Sequence, residues 1–127
     1  MNYRNFKGEQ IAEVGLGTWQ LGSADWGIVD EDKALEILHA YVNAGGNFID
    51  TADVYGMGVS ERFIGTFLKQ TDKKVYVATK LGRRNDAPNG WPQNFSYDAI
   101  RHHVEDSLTH LGQDQLFLEQ LHCIPTE

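Results

Sequence analysis

Cysteine is almost missing from this chain: Cys123 is the single one among 127 residues. It has no partner for an internal disulfide, so a reducing compartment is expected and a disulfide scaffold is excluded. Long hydrophobic runs are missing as well. No stretch reaches the roughly 18 apolar residues of a spanning helix, and residues 1–10 carry charges where a secretory leader would carry an apolar segment. The expectation is a cytoplasmic protein without a membrane partner. Basic residues are few: 11 Lys and Arg face 18 Asp and Glu, a net charge of −7. Nucleic-acid binding needs clustered cations, and the pair Arg83-Arg84 is too short to form such a patch. With 41% hydrophobic and 23% charged residues, the chain has the composition of one globular domain with a real core.

What is present alternates short apolar runs with helical periods. Residues 3–6 and 11–14 flank Lys7-Gly8-Glu9-Gln10, a hairpin with a glycine-containing turn. A first strand is predicted at 14–17. Asp30 caps a helix reaching about residue 43, with Ala34, Leu35, Leu38, Tyr41 and Val42 on one face and Gly45-Gly46 as its stop. Phe48-Ile49-Asp50 is a short buried strand, 60–69 a helix carrying Phe63, Ile64, Phe67 and Leu68, and 75–78 a third strand. After a long loop with Pro88, Gly90 and Pro92, Ser96 caps a helix whose stripe is Ile100, Val104, Leu108 and Leu111. Gly112 ends it, and 116–121 is a fourth strand. This βαβαβαβ order implies an α/β fold with a parallel sheet and right-handed crossovers. Four such units are half of a (β/α)8 TIM barrel. A flavodoxin-like open sheet shares the local pattern. It would want a phosphate-cradling loop after the first strand, which Gly15-x-Gly17 without a third glycine does not supply.

In parallel sheets, functional residues gather where strands end. Three predicted strands end in residues that handle protons, Asp50, Lys80 and His122, and Tyr55 lies just after Asp50. Singly, each has a plainer reading. An Asp at a strand end forms turns, a loop Tyr packs, and a His is commonly structural. Lys80 is harder to dismiss, since a buried ammonium needs a partner. Together they form a complete set for reducing a carbonyl. A phenol is a weak acid at neutral pH, and an ammonium beside it favours the phenolate, which makes proton donation practicable. Asp50 would hold that ammonium, and His122 would orient and polarise the carbonyl. No member can supply hydride, so a nicotinamide cofactor is required.

These residues sit in motifs that resemble the aldo-keto reductase family. Gly15-Leu16-Gly17-Thr18-Trp19 looks like its first-strand signature, and the run Gly46 to Gly56 with Ser60-Glu61 resembles its second. Thr79-Lys80 matches the end of the third strand. Val104 to Gly112 resembles the helix before the fourth, and Gln120-Leu121-His122 its end. The resemblance implies a tetrad of Asp50, Tyr55, Lys80 and His122, and NADPH, less often NADH, across the strand ends. It places Gly17, Thr18, Trp19 and Asp50 at the cofactor, and Trp19, Trp26, Trp91 and His122 around a small carbonyl substrate. For Trp26 and Trp91 packing at the rim is the competing reading. One departure is Phe117, where many relatives carry an acidic residue, with Glu119 two positions later.

No metal site is expected. His39, His102, His103 and His110 fall within predicted helices and receive no role. Cys123, beside His122, is expected to be buried and inert. The sequence stops soon after the fourth predicted strand, so it is expected to be the first half of the barrel, truncated and lacking most groups that hold the cofactor phosphates. Its open sheet edges invite self-association. The alternative to a reductase is a catalytically silent half-barrel serving as an interaction or regulatory module, against which the complete tetrad argues.

Overall fold

The structure is a computed structural model that describes residues 1–22, 30–87 and 90–126. It opens with a hairpin of β1 (Tyr3–Phe6) and β2 (Glu9–Ala12), antiparallel, with Phe6 opposite Glu9. Lys7 and Gly8 both have positive φ, 57° and 82°, as a tight two-residue turn requires. That turn is shorter than the four residues expected, so the second arm begins at Glu9 and not at residue 11.

Elements then alternate: β3 (Leu16–Gly17), α1 (Glu31–Asn43), β4 (Phe48–Asp50), α2 (Val59–Gln70), β5 (Tyr76–Leu81), a 3-10 turn (Trp91–Phe95), α3 (Tyr97–Leu111) and β6 (Leu118–Leu121). Caps set the helix ends. Asp30 Oδ1 accepts from the Asp32 amide at 3.0 Å, and Ser96 Oγ accepts from the Ala99 amide at 3.2 Å. Gly112 closes α3 in the left-handed conformation, φ 64°. The 3-10 turn was expected as plain loop.

Among the described residues the second sheet has the order β3-β4-β5-β6, every pair parallel. This α/β arrangement is the first half of a (β/α)8 barrel, with helices on one face. Alternation along β5 decides which side chains meet them. Val77 joins the core with Leu38, Val42, Ile49, Ile64, Phe67 and Leu111, so Ala78 and Lys80 point to the opposite face. Each fully buried Leu, Ile or Phe contributes about 1.5–3 kcal/mol of apolar burial.

Helices α2 and α3 touch backbone to backbone. A Cβ on Gly65 would lie 2.2 Å from the His110 carbonyl oxygen, so only glycine permits the approach. This contact also corrects the stripe expected on α3. His103, Ser107 and Leu111 are its buried residues, while Ile100, Val104 and Leu108 are half-buried. Ser107 holds the inner line because it meets a polar partner there, Glu61 of α2, while His103 faces the segment that carries Asp86 and Asn94.

Candidate active site

Register explains how the strand ends converge. Asp50 on β4 pairs with Ala78 on β5, and Lys80 lies two residues further along the same face. The Lys80 ammonium therefore reaches diagonally back and donates to Asp50 Oδ2 at 2.7 Å and to the Thr51 carbonyl at 2.9 Å. Its side chain is 17% exposed against 39% for Asp50, so the pair sits at the mouth of the sheet and not in the dry core. Lys80 Nζ also stands 3.5 Å from the Tyr55 hydroxyl and 5.2 Å from the centre of its ring.

His122 extends β6 by one step, its amide donating to the Leu81 carbonyl at 2.7 Å. Its ring meets the Tyr55 ring edge-on, with centroids 6.4 Å apart. Burial pushes the His122 imidazole below the ordinary histidine range, and the charges of Arg83 and Lys80 push the same way. The ring is thus held neutral at pH 7, with one nitrogen free to donate. Asp50, Tyr55, Lys80 and His122 are brought to one spot.

The spot rests on a buried knot of hydroxyls. Thr18, Thr51 and Ser60 are all fully buried. Ser60 Oγ lies 2.9 Å from Thr51 Oγ1 and donates to Thr18 Oγ1 at 3.0 Å, while Thr18 Oγ1 donates to the Asp50 carbonyl at 2.9 Å. Three segments, the ends of β3 and β4 and the start of α2, are tied here directly beneath Asp50.

The residues expected at the cofactor and substrate are distributed unevenly. Thr18 is fully buried, its hydroxyl tying the end of β3 to the Asp50 carbonyl. Gly17 presents bare backbone, with nothing within 4 Å of where a Cβ would stand, and Trp19 is 50% exposed. Trp91 is also exposed, its ring edge-on to Phe95. Trp26 lies outside the described residues. Cys123, expected to be buried, is exposed with φ 57°. The turn after His122 adopts the left-handed conformation and swings its side chain outward, where burial frequencies of free cysteine do not apply.

Sequence reasoning passed over three carboxylates: Asp53, Glu61 and Glu119. Both oxygens of Asp53 and Glu119, and Oε2 of Glu61, are buried without a hydrogen-bond partner among the described residues. Burial raises Asp53 to about 6, Glu61 to about 7 and Glu119 to about 8; the charge of Asp53 adds to the rise of Glu61, those of Glu61 and Asp53 to that of Glu119, and those of Asp86 and Asp106 to that of Asp53. The sequence carries no signal for them, because the inward position of Ser107, the one side chain that bonds to Glu61, is set by packing against α2.

The geometry agrees with known proteins. Residues 13–127 match the Aldo/keto reductase family. The chain belongs to that family. The aldo-keto reductase YhdN of Bacillus subtilis is 36% identical over 119 residues, which cover 91% of this chain and 35% of YhdN. Among solved structures, the glycerol dehydrogenase AKR11B4 from Gluconobacter oxydans is similar with a TM-score of 0.76 at 37% identity, covering 95% of this chain and 38% of that one. An aldo-keto reductase from Klebsiella pneumoniae in complex with NADPH is similar with a TM-score of 0.75 at 25% identity, covering 93% and 37%. The chain thus spans little more than a third of the length of these relatives.

Proposed function

We propose that this chain forms the proton-handling half of an NAD(P)H-dependent reductase that converts small aldehydes or ketones to alcohols. The observation that carries the reading is Lys80 bridging Asp50 and Tyr55, with a neutral His122 facing the same phenol. Tyr55 gives its proton to the substrate oxygen as that oxygen gains charge. Lys80 stabilises the oxyanion left on Tyr55. Asp50 and the Thr51 carbonyl hold the ammonium in reach, and His122 donates a hydrogen bond that orients the carbonyl before the proton moves.

A nicotinamide suits the exposed edge formed by the bare backbone of Gly17 and the half-exposed Trp19, next to Asp50. NADPH is the preferred form, because the Klebsiella relative binds it. When bound it would supply the hydride that no side chain of this site can give. A cytoplasmic setting fits a single exposed thiol and such a cofactor.

The test is NADPH binding followed by nicotinamide fluorescence, with reduction of a simple aldehyde by the wild type and by Tyr55→Phe. Saturable binding with turnover that depends on Tyr55 supports the reading. Turnover that survives the substitution rejects Tyr55 as the donor.

A further inference from the structure

The two arginines after β5 have opposite fates. Arg84 is bound by Asp86 at 2.5 Å and Asp106 at 2.7 Å, so carboxylates match its charge. Arg83 is exposed and has no ion pair or side-chain hydrogen bond among the described residues. Its backbone is nevertheless fixed. Asn94, fully buried in the 3-10 turn, donates Nδ2 to the carbonyl of Gly82 at 3.1 Å and to that of Arg84 at 2.7 Å, one residue on either side of Arg83. Gly82, φ 127°, is pressed against the His122 carbonyl oxygen and the Phe95 ring, where a Cβ would stand 2.5 and 2.6 Å away.

Arg83 therefore leaves a rigid loop beside His122. With Asn85, Gly90, Trp91 and Cys123 it lines a cavity of about 430 Å³. That volume suits a small organic molecule. Cys123 directly follows His122, and Gly82 next to Arg83 meets the His122 carbonyl oxygen, so the cavity lies beside the strand end that carries His122. A molecule of net charge −7 repels anions at long range. A locally unmatched guanidinium on a clamped loop is thus the specific feature of this cavity, since its planar fork suits oxyanions.

We propose that this cavity takes the tail of the carbonyl substrate, and that Arg83 selects substrates whose tail ends in an oxyanion, a carboxylate or a phosphate. The assignment rests on the reductase reading above. The Trp91 indole covers the apolar carbons between carbonyl and anion, and Arg83 closes a charge-assisted pair with the end group.

Titration and kinetics test it separately. Succinate, inorganic phosphate and the neutral succinamide are titrated into the 127-residue chain at low salt and followed by calorimetry, with folding checked by circular dichroism. Saturable binding of succinate or phosphate, absent for succinamide and weakened about tenfold to a hundredfold in Arg83→Gln, is the expected result. Arg83→Lys, which keeps charge without the fork, should fall between them. The tighter of the two anions names the tail. Equal binding by Arg83→Gln, or no binding of either anion at about 10 mM by folded protein, overturns the proposal. So does displacement of succinate by adenosine 2′-monophosphate, which would give the cavity to a cofactor phosphate.

In turnover with NADPH, the ratio of kcat/KM for 4-oxobutanoate over butanal should fall at least tenfold in Arg83→Gln. An unchanged ratio rejects the tail assignment while leaving the reductase reading in place. If neither aldehyde is reduced, the reductase reading fails, and the succinate titration still decides whether Arg83 holds an oxyanion.

Discussion

Ser107 of α3 donates its hydroxyl to Oε1 of Glu61 on α2 at 3.1 Å, inside the contact between the two helices. One buried hydroxyl is a thin match for a carboxyl group whose second oxygen has no partner among the described residues. Glu61 is pushed up to about 7 and Glu119 to about 8, chiefly by burial. Folded-state values above the unfolded ones mean that the native chain retains protons the unfolded chain releases. The stability these groups contribute is whole below about pH 4 and is lost as pH rises to about 7 for Glu61 and about 8 for Glu119. The unfolding free energy from urea titrations should therefore fall between about pH 5 and 8, by as much as about 1.4 kcal/mol per pH unit for each retained proton. Glu119→Gln should flatten that fall. A free energy that rises over this interval would contradict the buried-acid account.

Tyr55→Phe should lower kcat for a simple aldehyde by about a hundredfold to ten-thousandfold, the usual worth of a positioned acid. NADPH affinity should hardly change, since Tyr55 is assigned to the substrate oxygen. Stopped-flow turnover with a parallel fluorescence titration separates the two.

Asp50→Asn removes the carboxylate 2.7 Å from Lys80 but leaves the Thr51 carbonyl at 2.9 Å. The ammonium loses its counter-charge while keeping one anchor. We expect kcat to fall by about tenfold or more, less than in Lys80→Met, where the phenol loses its cation altogether. Equal losses in the two variants would show that the Thr51 carbonyl alone cannot hold Lys80 in place, and additive losses in the double variant would show that Asp50 acts on its own account.

The pH dependence of kcat/KM should carry the mark of His122. Its imidazole is lowered by burial and by the neighbouring positive charges, so it stays neutral until pH drops below the ordinary histidine range. Activity should hold from pH 8 to about 6.5 and fall only at lower pH. The acid limb should be missing in His122→Gln. A limb at or above 6.5 would argue for a solvated ring.

Ser60→Ala removes the hydroxyl that joins Thr18 and Thr51 where all three are fully buried. The cost should be about 1–3 kcal/mol in a denaturant titration. Within the surviving folded fraction, kcat should fall as well, because the Asp50 carbonyl loses part of its support.

Much of the fold was legible because local signals agreed. Asp30 and Ser96 cap the helices as their side chains suggested, and Asp50, Lys80 and His122 stand at strand ends because buried strands stop where a charge must reach the mouth. Other features depend on neighbours far along the chain. Whether Ser107 or Leu108 faces inward on α3 is decided by the approach of Gly65 on α2, which periodicity does not carry. The fates of Arg83 and Arg84 were likewise hidden. Their difference lies in Asp86 two residues on, in Asp106 of α3 and in Asn94 of the 3-10 turn, of which the last two come near only in the fold. Cys123 turned outward through a backbone angle that composition could not foresee.

The knot of Thr18, Thr51 and Ser60 makes the foundation of the strand ends separate from their rim. Asp50, and through it Lys80, is held from below by buried side chains. The segments that carry Arg83 and Trp91 are tied elsewhere, through Asn94. Substitutions in the outer loops should therefore leave the pair of Asp50 and Lys80 where it stands.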